Sequence, residues 1–342
     1  MKAALYRRFG PADEVLEIIE MPTPDPAPGE VLVEVHASGV NPSDVKLRAG
    51  ARPGARMVYD HVIPQSDGAG IVIAVGEGVP QTRLGERVWL WNGQWRRQHG
   101  TGASHIALPA DQAVTLPEAA GFAEGACLGI PAMTAWAAVL GDGPVDGPVD
   151  GPVEGQRILV TGGAGSVGRY AIQIARLSGA EVITTISSPA KAAHASSHDN
   201  PAHHVIDYRR EDVAARIMDI TDGRGVDRIV EVDFGANIAI SEQVIAEGGT
   251  IASYASAAAM APVLPFYPLM FRNVRLWMLL AYLIDAPRRR RGEAALAAWL
   301  STGALSHAIG SRHPLTATAA AHRAVEAGQT LGTVIVTPQD LR

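Results

Sequence analysis

The chain has 342 residues, enough for two domains, with 47% apolar residues, 19% charged residues and a formal net charge of −6. This is the composition of a folded globular protein, and the mild acidity without a basic stripe argues against a nucleic-acid partner. The single cysteine, Cys127, excludes an internal disulfide and a multi-cysteine zinc site, and it agrees with a reducing, cytoplasmic setting. The opening stretch MKAALYRRFGPADEV lacks a long apolar core, so no signal peptide is expected. The longest apolar run, 276–284, is too short to cross a bilayer, so no membrane partner is expected either.

Up to residue 125 the chain is rich in Val, Gly and Pro. Residues 31–37 alternate, while 70–75 and 87–91 are apolar and β-prone, which predicts a β-rich domain of short strands. Residues 117–140 switch to helical spacing. A tandem repeat follows, GPVD at 143–146, GPVD at 147–150 and GPVE at 151–154. Its recurrent Pro and Gly rule out a helix or a central strand and predict a surface loop. From residue 157 strand and helix patterns alternate, with strands expected at 157–161, 181–186, 203–207, 227–232, 249–254 and 273–279. That spacing suits crossover helices and a parallel sheet. Two helical patterns, 288–302 and 317–327, and a last strand, 332–336, close the chain. The first of these helices opens on Arg288 to Arg291, which reads as a solvated surface poorly placed against the helix dipole.

Residues 155–185, GQRILVTGGAGSVGRYAIQIARLSGAEVITT, carry most of the chemistry. An apolar run breaks into Gly163-Ala164-Gly165-Ser166-Val167-Gly168, a helical pattern covers 170–177, and a second β-type run follows. Strand, G-x-G-x-x-G, helix and strand in this order form a dinucleotide-binding βαβ unit. The helix start offers unpaired N–H groups and a favourable dipole to a pyrophosphate.

An acid near the end of the second strand would hold a ribose 2′-hydroxyl. Here that stretch is Thr184-Thr185-Ile186-Ser187-Ser188-Pro189-Ala190-Lys191, with hydroxyls and a lysine instead. This favours a 2′-phosphate and therefore NADPH. Lysine occurs only at positions 2, 46 and 191, so Lys191 stands out. His194 and His198 are four apart, but they follow the second strand on what reads as a surface helix, so no metal site is expected there. GGAGS is no nucleophile elbow, and a single dinucleotide fingerprint implies no FAD.

Several motifs resemble the zinc-independent NADPH:quinone oxidoreductases, which include the zeta-crystallins, within the medium-chain dehydrogenase/reductase superfamily. They are VHASGVNPSDVKLRAG (35–50), IPQSDGAGIVIAVGEGV (63–79), CLGIPAMTAW (127–136), GGAGSVG (162–168), HHVIDYR (203–209) and PLTATAAAHRAVEAGQTLGTVIVTP (314–338). The resemblance implies an α/β protein: a GroES-like β-rich domain from 1–127 and 281–342, and a Rossmann doubly wound parallel-sheet domain at 128–280 that binds NADPH. Metal-dependent relatives carry a cysteine, a histidine and a third ligand where this chain has Asn41, Ser66 and Ile130. Amide, hydroxyl and alkyl groups form no ordinary zinc site, so no metal is expected.

By the same resemblance Asn41 faces the nicotinamide region, although Asn41-Pro42-Ser43-Asp44 is by itself strong turn chemistry. Asp44 reads as a buried structural acid near the cofactor, and Tyr59 as a phenol lining the acceptor pocket. Lys191 and Tyr208 flank the 2′-phosphate. Pro42, Ile130, Thr134, Ser187, Ser188, Ala255 and Ser256 complete the expected cofactor contacts. The implied reaction is direct hydride transfer from NADPH to a quinone in an interdomain cleft, by a homodimer. The alternatives are an enone or enoyl-thioester reductase of the same superfamily, and a crystallin-like cofactor binder without turnover.

Overall fold

A computed structural model describes residues 1–51, 54–143 and 153–338. The GPVD repeat, expected as a surface loop, falls almost wholly outside the described residues. The chain divides into two compact units, Met1–Ile130 with Ala297–Arg342, and Pro131–Leu296.

In the first unit β1 (Lys2–Leu5) and β2 (Glu17–Glu20) form an antiparallel ribbon around the short helix α1 (Ala12–Val15). The main sheet starts with β3 (Glu30–Val40) and β4 (Asp67–Val75), paired antiparallel, and continues through β5 (Arg87–Leu90), β6 (His105–Pro109) and β7 (Ala113–Thr115). Alternate residues of a strand share a face. Val31, Val33 and Val35 accordingly meet Val72, Val88, Leu90, Ile106 and Leu108 in one buried cluster. The stretch read as a turn, 41–44, instead starts the helix α2 (Pro42–Arg48). Asn41 caps it, Pro42 occupies the first helical position, and the Asp44 carboxylate accepts the Asn41 N–H at 2.8 Å.

The helical spacing at 117–140 resolves into α3 (Phe122–Gly125), a wide π turn over Leu128–Ala132, and α4 (Met133–Leu140). Pro131 lies inside the π turn, where it lacks an N–H to donate and crowds the preceding turn.

The second unit carries β8 (Arg157–Val160), β9 (Glu181–Ile186), β10 (His204–Asp207), β11 (Val226–Glu231), β12 (Ile245–Ser253) and β13 (Arg275–Met278). Their order across the sheet is β10-β9-β8-β11-β12-β13, and every pairing is parallel. Helices α5 (Ser166–Leu177), α6 (Pro189–Ala195), α7 (Val213–Ile220), α8 (Phe234–Val244) and α9 (Phe266–Phe271) connect them, and α10 (Ala286–Ser301) follows. Strand order reverses beside β8, which makes a doubly wound sheet with its ligand side at the carboxyl ends.

Residues 281–296, expected with the first domain, belong to the second unit. Arg288 Nε donates to the Gly141 carbonyl at 2.9 Å, and Gly292 sits so close to Trp136 that a Cβ would meet its ring at 2.8 Å. Nor are the four arginines uniformly solvated. Arg289 is buried and pairs with Glu293 at 2.9 Å, while Asp285 accepts the Arg288 N–H at 3.0 Å and so caps α10.

The chain then returns to the first unit with β14 (Ile309–Pro314), α11 (Thr318–Ala327) and β15 (Thr333–Thr337). β15 pairs antiparallel with β3, and β14 pairs parallel with β15. Among the described residues no helix is long and apolar enough to cross a membrane.

Candidate functional site

The glycine loop follows β8 directly. Gly162, at φ +67°, donates its N–H to Thr185 Oγ1 at 3.1 Å, and Gly163 donates to the Thr185 carbonyl at 3.1 Å. Helix α5 then begins at Ser166, earlier than the apolar pattern suggested, with Gly165 as its cap. The three glycines of the motif differ physically. A Cβ on Gly163 would overlap the Thr184 hydroxyl, and one on Gly168 would overlap the Gly162 carbonyl. One on Gly165 would meet only the Gly162 carbonyl, at 3.4 Å. The outer glycines therefore serve packing, and the middle one leaves a face open where Ala164, Ser166 and Val167 surround a helix start. First-turn N–H groups have no partner inside a helix, so a pyrophosphate fits this cradle.

Most of the other expected cofactor residues of this unit follow the carboxyl ends of strands in the same sheet. Ser187 and Ser188 follow β9, and Ser188 Oγ caps α6 by accepting the Lys191 N–H at 3.3 Å. Tyr208 follows β10, gives its N–H to the Ile186 carbonyl at 3.1 Å, and leaves its ring half exposed. Ala255 and Ser256 follow β12; the Ala255 carbonyl accepts the Phe234 N–H at 3.0 Å, and Ser256 Oγ the Gly235 N–H at 3.1 Å. Thr134 is buried in α4. His194 and His198 do not share a helix, because α6 ends at Ala195. Burial and the Arg169 guanidinium push both imidazoles below their usual range, His198 to about 4. Among the described residues no three of His, Cys, Asp and Glu gather as a metal site.

In the first unit Asn41 is buried, and its Nδ2 donates to Asp67 Oδ2 at 2.8 Å. The Ile130 N–H donates to the same oxygen at 2.9 Å. Oδ1 of Asp67 is buried without a partner, against Gly129, where a Cβ would overlap it. Burial holds the Asp67 carboxyl well above the usual carboxylate range, and the nearby Asp44 charge adds to the rise. Thr101 Oγ1 fixes the backbone beneath by donating to the Asp67 carbonyl at 2.7 Å. Asp67 escaped the sequence reading. The signal was a carboxylate heading the apolar strand DGAGIVIAV with no Lys or Arg between 57 and 82.

Pro42 is exposed at the start of α2, and Lys46 is exposed further along it. The Tyr59 phenol donates to the Arg96 carbonyl at 2.9 Å, and its side chain packs beside Tyr6, Val15 and Val62. No hydrogen bond joins it to Asn41 or Asp67. Cys127 is fully buried, and burial pushes its thiol up to about 12.

The β-rich unit and the doubly wound parallel sheet with its glycine loop define the medium-chain dehydrogenase/reductase superfamily of oxidoreductases. Residues 27–125 match the profile described as alcohol dehydrogenase GroES-like domain, and residues 166–298 the one described as zinc-binding dehydrogenase. A quinone oxidoreductase of Sus scrofa is 30% identical over 324 residues, covering 94% of this chain and 93% of its own. A mycobacterial structure described as complexed with NADPH superposes with a TM-score of 0.84 at 28% identity, covering 99% of this chain and 100% of its own. A structure described as an NAD-dependent alcohol dehydrogenase superposes with a TM-score of 0.86 at 28% identity, covering 98% and 99%. The chain belongs to the zinc-independent quinone oxidoreductase family of that superfamily. Zinc does not fit the first unit's site: Asn41 and Ile130 both present N–H donors to a carboxyl that favours its proton.

Proposed function

We propose that the protein is an NADPH-dependent quinone reductase that works without metal or flavin. One observation carries the cofactor choice: Ser187, Ser188 and Lys191 gather at the end of β9, and no carboxylate occurs from 184 to 191. Hydroxyls and an ammonium suit a 2′-phosphate, which a carboxylate would repel. Ser187, Ser188, Lys191 and Tyr208 hold that phosphate in this reading, and residues 163–168 hold the pyrophosphate. Bound NADPH supplies a hydride. Asn41, with one amide hydrogen on Asp67, would have its other to offer a carboxamide or an acceptor carbonyl as negative charge develops there. A quinone is electrophilic enough for water to complete its protonation.

The protein acts as a cytoplasmic homodimer in the same reading. The sheet-edge strand β13, with Met278, Leu280 and Leu283 exposed at and beyond its end, supports such a contact. The test is steady-state turnover of 1,4-benzoquinone, 9,10-phenanthrenequinone and crotonyl-CoA with NADPH and with NADH. Quinone turnover with NADPH preferred is expected. Turnover of crotonyl-CoA alone would move the assignment to an enoyl-thioester reductase, and binding without oxidation of NADPH would leave a cofactor-binding protein.

A further inference from the structure

Glu231 ends β11 at the ligand side of the parallel sheet, and it is fully buried. Its Oε1 accepts hydrogen bonds from the Asp233 N–H at 2.6 Å and from Asn237 Nδ2 at 2.8 Å, and it shares the Thr161 hydroxyl with the Val230 carbonyl, each 3.1 Å from Oγ1. Its Oε2 is buried with no partner. Thr161 immediately precedes the glycine loop. Its hydroxyl accepts the Val232 N–H at 2.9 Å, and its own N–H donates to the Val230 carbonyl at 3.0 Å. The turn after β11 and the entry to the glycine loop are thus joined by backbone bonds to Thr161 and by the Glu231 carboxyl behind it.

We propose that Glu231 is a positioning residue for the nucleotide phosphate loop, acting through Thr161. This rests on the nucleotide-binding reading above. An ionised carboxylate with one bare oxygen is costly in a dry site, whereas the neutral acid leaves only a hydroxyl there. Burial drives the group upward from its usual range; the donors from Asn237, Asp233 and Thr161 oppose this, and the Asp233 charge adds to it. The titratable groups facing it are Asp233 in the same turn and Tyr254 after β12, whose N–H donates to the Glu231 carbonyl at 3.1 Å. Ionisation of Glu231 puts negative charge one residue behind amides meant for a pyrophosphate, which opposes anion binding there.

The experiment is NADPH titration by fluorescence on the full chain, for wild type, Glu231→Ala, Glu231→Gln and Thr161→Val, over about pH 5 to 9. Glu231→Ala and Thr161→Val each weaken NADPH binding about tenfold or more, as loss of a buried hydrogen bond requires. Glu231→Gln, which keeps an acceptor oxygen and adds no charge, rescues most of that loss. Wild-type affinity falls relative to Glu231→Gln as pH rises. Wild-type affinity in Thr161→Val, or parallel pH profiles for wild type and Glu231→Gln, overturns the assignment. If wild type binds neither NADPH nor NADH, the nucleotide reading itself fails and this inference falls with it.

Discussion

Asn41 Nδ2 and Asp67 Oδ2 stand 2.8 Å apart in a region closed to water, joining the cap of α2 to the first residue of β4. The contact unites a residue legible in the sequence with one that was not. Truncation of Asn41 to Ala leaves the Asp67 carboxyl with the Ile130 backbone N–H as its remaining donor, at a cost of about 1–3 kcal/mol. Asn41→Asp places a second carboxyl against Asp67 with Asp44 close by, and costs more. Urea unfolding should rank the three proteins wild type, Asn41→Ala, Asn41→Asp; an Asn41→Asp variant as stable as wild type would refute the geometry.

Lys191 separates the two nicotinamide cofactors. Its loss removes a charge-assisted contact of about 1.5–3 kcal/mol from a 2′-phosphate and nothing from a 2′-hydroxyl. The NADPH Michaelis constant of Lys191→Ala should therefore rise about tenfold or more, with that for NADH nearly unchanged. Equal changes for both cofactors would sink the phosphate assignment.

The glycine loop allows a dissection by stability against binding. Gly163→Ala and Gly168→Ala force a methyl into the Thr184 hydroxyl and the Gly162 carbonyl, and should lower unfolding free energy by about 1–3 kcal/mol. Gly165→Ala has room for its methyl and an extended backbone that alanine accepts, so its melting temperature should stay put. Its methyl faces the ligand side, so NADPH affinity should fall sharply. Calorimetry paired with a binding titration distinguishes the two outcomes.

His322 makes the fold sensitive to acid. It is buried in α11 with both ring nitrogens unpartnered, and burial together with Arg48 lowers its pKa to about 3. The unfolded chain takes up a proton near the ordinary value of about 6.5, which the folded chain refuses. Stability is therefore lost as pH falls from there toward 3, by about 1.4 kcal/mol per unit. Between pH 7 and pH 5, wild type should lose about 2 kcal/mol more than His322→Leu in urea unfolding. Parallel losses would show that His322 is not the group responsible.

Long periodic segments were legible because period and burial agree: β8 through β13 fall within a few residues of their expected places. Short elements were not. The ribbon of β1 and β2, and strands β6, β7 and β14, are only three to six residues long, too short for a period to register. Residues 41–44 hid a helix because turn and helix-cap chemistry use the same residues. In the candidate site the glycine turn between β8 and α5 could be read from spacing alone. Asp67 and Glu231 could not, since burial and orphaned oxygens arise only on folding. The Tyr59 phenol's partner, the Arg96 carbonyl, lies 37 residues along the chain, a contact no local pattern encodes.

Cys127 is the chain's lone sulfhydryl, sealed off and held in its unreactive form. Alkylating reagents attack thiolate only, so labelling must wait until the first unit opens. The molecule thus carries its own single-hit clock for local unfolding, one that a mass spectrometer can time without any engineered probe.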